Sequence, residues 1–322
     1  MILVTGATGL LGHHLLQALE VKQMPVRALC RQTEGLPKFN HVEWFQGDIV
    51  NIVELERAMQ GVTHIYHCAA KVSYDPRWHH EMMRINIEGT ANVVNLALDY
   101  EVAKMIYVSS IATLGKEDKG KLVSEQTEWL DKEPHSMYAE SKYYAEMEVW
   151  RGIGEGLQAV IVNPSVILGE GDWQKSSTNL FKIVYDEFPW YTNGSTGWVD
   201  VKDVVKVMIR LMESSICQEK FIVNGANASF KDVFTMMANG LKKRPPYKKA
   251  LPWMSEIVWR LAYLKSILSG KVATITKETA ITAHQQQAFS SAKLSQTLPD
   301  FSFTPLEETI ARVSEKMLQS IE

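Results

Sequence analysis

Short apolar runs alternate with longer stretches of helical period through the first half of the chain. Ile2-Leu3-Val4 is too short and too evenly apolar for an amphipathic helix and reads as a buried strand. Over residues 10–19, Leu11, Leu15, Leu16 and Leu19 recur on one helical face. Residues 26–30 and 42–45 read as the second and third strands, 53–59 as a helix, 64–68 as a fourth strand and 79–99 as one long helix. A fifth strand over 105–108, a helix over 136–150 and a sixth strand over 159–162 complete the series. Gly152, Gly154 and Gly156 then read as a helix stop and turn. Repeated strand–helix alternation predicts a parallel sheet covered on both faces, doubly wound by right-handed crossovers.

Past Pro164 the alternation lapses. Residues 199–212 and 221–224 read as a return to the sheet, and from 228 onward the pattern is mostly helical. The expected fold is therefore α/β, a doubly wound parallel sheet with a second, smaller, mostly helical domain. The dinucleotide-binding part is expected over 1–166 and 198–224, and a substrate domain over 167–197 and 225–322. A chain of 322 residues suits one large and one small unit.

The most specific local signal is Thr5-Gly6-Ala7-Thr8-Gly9-Leu10-Leu11-Gly12, between the first strand and the first helix. A diphosphate must lie against backbone N–H groups at a helix N-terminus, where the dipole favours negative charge. Gly6 permits the tight turn, Gly9 the close approach and Gly12 close packing of helix on sheet. This is the Rossmann arrangement, and it points to a bound dinucleotide. The end of the second strand faces the adenosine ribose, and it carries Cys30-Arg31-Gln32 with no acid before Glu34. Arg31 favours a 2′-phosphate, so NADP(H) is preferred to NAD(H).

Tyr138 and Lys142 stand four apart at the start of a helix and so share a face. A phenol with its ordinary pKa near 10 is a poor proton donor–acceptor at neutral pH, and a nearby ammonium stabilises the phenolate. Tyr100 and Lys104 have the same spacing, but they sit where a helix runs into a strand and read as surface. His13 and His14 carry no assigned chemistry.

These motifs resemble the extended short-chain dehydrogenase/reductases, the NAD-dependent epimerase/dehydratase family, over nearly the whole chain. That resemblance makes Asp48, beside Ile49, the acid that contacts adenine. It places Cys68, Ala69, Ala70 and Lys71 beside the cofactor after the fourth strand, and it matches Asn86 to a helix asparagine counted with the catalytic group. It implies that Ser110, at the end of Tyr107-Val108-Ser109-Ser110, holds the substrate oxygen near Tyr138, with Ser109 as the fallback. Val108 lies at the same edge. Lys142 would also bind the nicotinamide ribose, and Asn163-Pro164-Ser165 would pack on the carboxamide.

For the substrate, residues 169–198 hold only Lys175 and Lys182 as cations, too few to clasp a nucleotide diphosphate. The dihydroflavonol-4-reductase-like and 3β-hydroxysteroid-dehydrogenase-like members are the best match. They imply a reductase or dehydrogenase of a moderately apolar carbonyl or alcohol. Trp173, Phe181, Tyr185 and Trp190 are candidate pocket walls, with Val72, Ser73 and Tyr74 ranked lower; each aromatic serves equally well as core. Two alternatives stand beside this reading: a nucleotide-sugar epimerase with tightly bound NAD, and a non-enzymatic dinucleotide sensor.

Bulk properties narrow the setting. The net charge of -3 gives no field that would draw nucleic acid or an anionic membrane. The scattered Cys30, Cys68 and Cys217 have no metal-ligand spacing and no complete disulfide pairing, so no metal and a cytoplasmic location are expected. No leader is expected before the first strand, and the apolar stretch 251–268 is broken by Glu256, Arg260 and Lys265. Lys242-Lys243-Arg244 and Lys248-Lys249 read as a solvated loop before a helix packed on the small domain, in preference to a membrane contact. A homodimer is left open.

Overall fold

The computed structural model describes residues 1–118, 120–130, 132, 135–173, 177–266 and 276–320, together with the backbone of 267–269. Lys175, one of the two cations counted above, lies outside them. The strands are β1 (Ile2–Thr5), β2 (Val26–Cys30), β3 (Val42–Gln46), β4 (His64–His67), β5 (Lys104–Val108), β6 (Ala159–Pro164), β7 (Val166–Leu168), β8 (Trp190–Tyr191), β9 (Ser195–Asp200), β10 (Glu219–Val223), β11 (Ala226–Ser229) and β12 (Lys248–Lys249). Seven of them form one sheet in the order β10-β6-β5-β4-β1-β2-β3. Every pairing in it is parallel.

The chain steps from β1 outward to β3, then returns to the other side of β1 for β4. That reversal opens a crevice at the carboxyl ends of β1 and β4, where sheets of this kind take their ligands. The glycine turn, residues 68–71, Ser110 and residues 163–165 all follow or end strands at that one edge.

The helices are α1 (Leu10–Val21), α2 (Ile52–Met59), α3 (His79–Met83), α4 (Gly89–Asp99), α5 (Met137–Gly154), α6 (Thr178–Tyr185), α7 (Val201–Glu213), α8 (Phe230–Gly240), α9 (Pro252–Ser269), α10 (Lys277–Thr282), α11 (Ala292–Thr297) and α12 (Leu306–Gln319). On one face of the large sheet, Leu15 and Leu16 of α1 pack with Val204 and Met208 of α7. On the other, Leu55, Val93, Val94 and Val149 come from α2, α4 and α5. Each such side chain, fully buried, contributes about 1.5–3 kcal/mol of transfer free energy.

Three details depart from expectation. The long helix over 79–99 is broken by a π turn at Arg84–Glu88, between α3 and α4. The apolar run 199–212 is not a sheet strand: β9 ends at Asp200, whose carboxylate caps α7 by accepting from the Lys202 amide. Its valines lie at helical spacing, and burial of that face outweighs their preference for strands. β9 belongs instead to a three-stranded sheet in the order β11-β9-β7, and it runs through the boundary expected at 198. Lys104 is not at the surface. It is buried, and its ammonium donates to the carbonyls of Leu211 and Ser214 at the end of α7, where the helix dipole favours a cation.

Candidate active site

Gly6 turns the chain with φ +68°, a left-handed conformation that costs glycine nothing. A Cβ there would stand 2.6 Å from the Ala69 amide nitrogen, and one on Gly12 would stand 2.2 Å from the Gly6 carbonyl oxygen. The first turn of α1 begins at Gly9 with no side chain capping its amides. The Gly9 amide itself donates to the Gly6 carbonyl at 3.0 Å, and the uncapped helix start beyond it, at the carboxyl end of β1, is the kind of terminus that suits an anion. The residues present therefore fit the diphosphate of a dinucleotide.

Tyr138 enters α5 one residue past its start; the Ser136 hydroxyl caps that helix by accepting from the Ala139 amide at 3.0 Å. Burial pushes the Tyr138 phenol above its ordinary 10, and a hydrogen bond with Ser110 pulls it back. Of the two adjacent serines, Ser110 thus meets the tyrosine. Ser109 is turned inward and donates to Glu146 at 2.6 Å.

Lys142 is buried below Tyr138 on the same helical face. Its ammonium donates at 2.8 Å to the Tyr107 hydroxyl and at 2.8 Å to the Val108 carbonyl. Burial lowers its pKa to about 7, although Glu146 and Cys68 work in the opposite direction. Behind Tyr107 runs a buried polar chain. Tyr107 bonds Thr90, Thr90 bonds Nε2 of His67 at 3.0 Å, and Nδ1 of that ring bonds Thr5 at 2.6 Å. His67 is held neutral, its pKa lowered by burial and by Lys142 to about 3.

Asn86 does not reach the Tyr138 hydroxyl. Its amide accepts from the Lys71 N–H at 2.7 Å and donates to the Lys71 carbonyl at 3.0 Å and to Ser141 at 2.9 Å. The π turn aims it there, and it fixes the strand-end segment 68–71 against α5. Asn163 is fully buried, and its amide donates to the Ser110 carbonyl, Thr113 and Glu146. Its carbonyl oxygen is buried with no partner. Pro164 is buried in register with Val223, and Ser165 donates to the Val223 carbonyl. Asp48 bonds the Val50 amide, while Ile49 is buried against the position of Gly89. Arg31 is exposed at the end of β2.

The expected aromatic pocket is corrected. Phe181 is fully buried among Val184, Val233 and Ile310 in the core of the smaller lobe, and Trp173 and Tyr185 pack against that cluster. Trp173 also donates to Ser320 at 3.1 Å. Trp190 pairs through β8 with β12. Of the lower-ranked residues, Val72 is exposed and Ser73 caps the Asp75 amide. Tyr74 alone among them comes to the site, its ring 6.0 Å from that of Tyr138 and edge-on.

Residues 2–223 match the family described as the NAD dependent epimerase/dehydratase family. The chain belongs to it. Its members are NAD(P)-dependent epimerases, dehydratases and reductases. A Synechocystis protein bearing the name dihydroflavonol 4-reductase is 30% identical over 62% of this chain. The chain spans 60% of that relative's length. Sterol demethylase protein B of Methylococcus capsulatus is 28% identical, covering 78% of this chain and 77% of its own. The crystal structure of gox2253 superposes with a TM-score of 0.85 at 29% identity, covering 99% of this chain and 98% of that one.

In this family member the sequence reading passed over two acids. Glu146 lies four residues beyond Lys142 and eight beyond Tyr138, on the same face, so its spacing was a usable signal. Glu278, on α10, accepts from the Met137 amide at 2.9 Å and so sits on the N-terminus of α5 beside Tyr138. Its second oxygen is buried without a partner, as is Nε2 of His79, and burial raises its pKa. No spacing rule connects residue 278 to residue 138.

Proposed function

We propose that this protein is an NADP(H)-dependent reductase or dehydrogenase. It moves a hydride between the nicotinamide and the carbonyl or carbinol carbon of a moderately apolar small molecule. The observation that carries this reading is the convergence of Ser110, Tyr138 and Lys142 on the sheet edge that also holds the uncapped start of α1. The relative named as a dihydroflavonol 4-reductase supports the direction of the chemistry. Exposed Arg31 at the end of β2 supports the 2′-phosphate.

Reduced NADP, when bound, supplies the hydride. Ser110 donates a hydrogen bond to the substrate oxygen and holds it beside the phenol. Tyr138 delivers the proton to that oxygen as the carbon gains its hydride, so a carbonyl becomes an alcohol and the tyrosinate is reprotonated from solvent. Lys142, positively charged, stabilises the tyrosinate through the buried space between them. Asn86 and the Tyr107–Thr90–His67 chain position the segment and the amine, and neither touches substrate. Tyr74 and Glu278 stand where substrate meets the small lobe.

The test is a panel of carbonyl compounds assayed for NADPH consumption by the purified protein. Carbonyl-dependent oxidation, faster with NADPH than with NADH, is the expected result. A protein that retains NAD and interconverts sugar nucleotides with no net consumption is an epimerase, and that outcome contradicts the proposal.

A further inference from the structure

Helix α9 leaves six large apolar side chains exposed, Val258 and Tyr263 among them. Trp253, Ile257, Leu261 and Leu264 recur at intervals of four, four and three, which stacks them on one face. Their exposures are 61, 49, 61 and 55%. The opposite face is the one that packs inward: Ser266 is buried, and the Ser255 hydroxyl meets Nε2 of His284 at 2.8 Å, just past α10. Among the described residues, no packing partner explains the outer stripe.

Charge decides what covers it. Residues 242–265 hold seven lysines and arginines against one carboxylate, Glu256, which pairs with Arg260. The chain as a whole has a net charge of -3, so this segment opposes the average and concentrates cations around an apolar face. Arg260 and Lys265 flank the stripe on α9 itself, and Lys248 and Lys249 stand immediately before the helix, exposed. Apolar side chains bordered by cations suit the boundary between headgroups and acyl chains of an anionic bilayer. No helix among the described residues is long and apolar enough to cross one.

We propose that α9 docks this protein on the surface of an anionic lipid bilayer, lying in the interface plane. The stripe is one helix away from the site, because α9 packs on α10 and Glu278 of α10 holds the Met137 amide next to Tyr138. A consequence for substrate rests on the reductase reading: an apolar carbonyl compound dissolved in the bilayer would reach the crevice from this side.

Docking itself is tested without any substrate. The full-length protein is sedimented with vesicles of phosphatidylcholine alone and of an equal mixture of phosphatidylcholine and phosphatidylglycerol. The expected result is sedimentation with the anionic vesicles, weakened by salt, and little with the neutral ones. The double substitution Trp253→Glu with Leu261→Glu, on exposed positions, lowers the partition coefficient at least about tenfold. Lys248→Glu with Lys249→Glu lowers it for anionic vesicles alone. Both variants keep their turnover of soluble substrates. Protein that stays in the supernatant with both vesicles overturns the proposal. So does sedimentation that the glutamate substitutions leave unchanged. Size-exclusion elution as a dimer that Leu261→Glu splits, with no vesicle binding, assigns the stripe to a second copy and overturns it equally.

Discussion

Lys142 and Lys104 follow tyrosines at the same spacing, and both end up buried with backbone carbonyls as partners. What separates them is the company each keeps. Lys104 closes the end of a helix, whereas Lys142 lies between Tyr138 and the carboxylate of Glu146 on one face of α5. Glu146 is nearly fully buried and accepts from Ser109, Thr113 and Asn163. Its spacing from Lys142 places it on the face of Tyr138, and the convergence of Ser109, Thr113 and Asn163 on it is what marks it as buried rather than surface. It raises the pKa of Lys142 against the lowering effect of burial. Glu146→Gln removes that support, so Lys142 loses its proton at lower pH than in the parent. Carbonyl reduction, which needs the ammonium, should then decline with rising pH from an earlier point. A pH profile of kcat/KM checks this; a profile that is unmoved, or moved toward alkaline pH with the melting temperature intact, contradicts the role given to Glu146.

The elements show where periodicity informs and where it does not. The first six strands were readable as short apolar runs between turns, and the helices among them because each buries one regular face on the sheet. The π turn was not, because it goes with Asn86 bonding the Lys71 backbone fifteen residues away, a contact no local spacing encodes. Nor was the clamp between α1, β9 and α12. There Glu170 bonds His14 and Arg312, and Arg312 also bonds the buried Asp200. Burial works to raise the Glu170 pKa, but the bonds from His14 and Arg312 outweigh it and hold the carboxyl well below its ordinary 4.5. A carboxyl whose pKa is lower folded than unfolded stabilises fully above the unfolded value. That contribution disappears as pH falls through the folded one. Arg312→Ala is expected to cost about 3 kcal/mol at neutral pH, since it leaves Asp200 buried without its cation. Urea unfolding measures it, and the gap between parent and variant should narrow in acid. An equal gap at both pH values would remove the clamp from the account.

Across the whole molecule, the reversal of strand order beside β1 brings residues from every part of the large sheet to one edge. Local motifs made that half of the site legible: the glycine turn, the Ser110 strand end and the Tyr138–Lys142 pair. From the smaller lobe, Glu278 of α10 reaches the start of α5, while of the aromatics chosen there Phe181 lies in the core and Trp173 and Tyr185 pack against it, because apolar bulk alone does not distinguish a pocket from packing. The central claim is that the Tyr138 hydroxyl moves the proton. Phenylalanine keeps the ring against Tyr74 and removes only that oxygen, so Tyr138→Phe, assayed for NADPH-dependent carbonyl reduction and for NADPH binding on the same folded sample, tests it most directly. A fall in kcat of at least about a hundredfold, with NADPH affinity within about twofold of the parent, is the predicted result. Turnover that survives the substitution would contradict it.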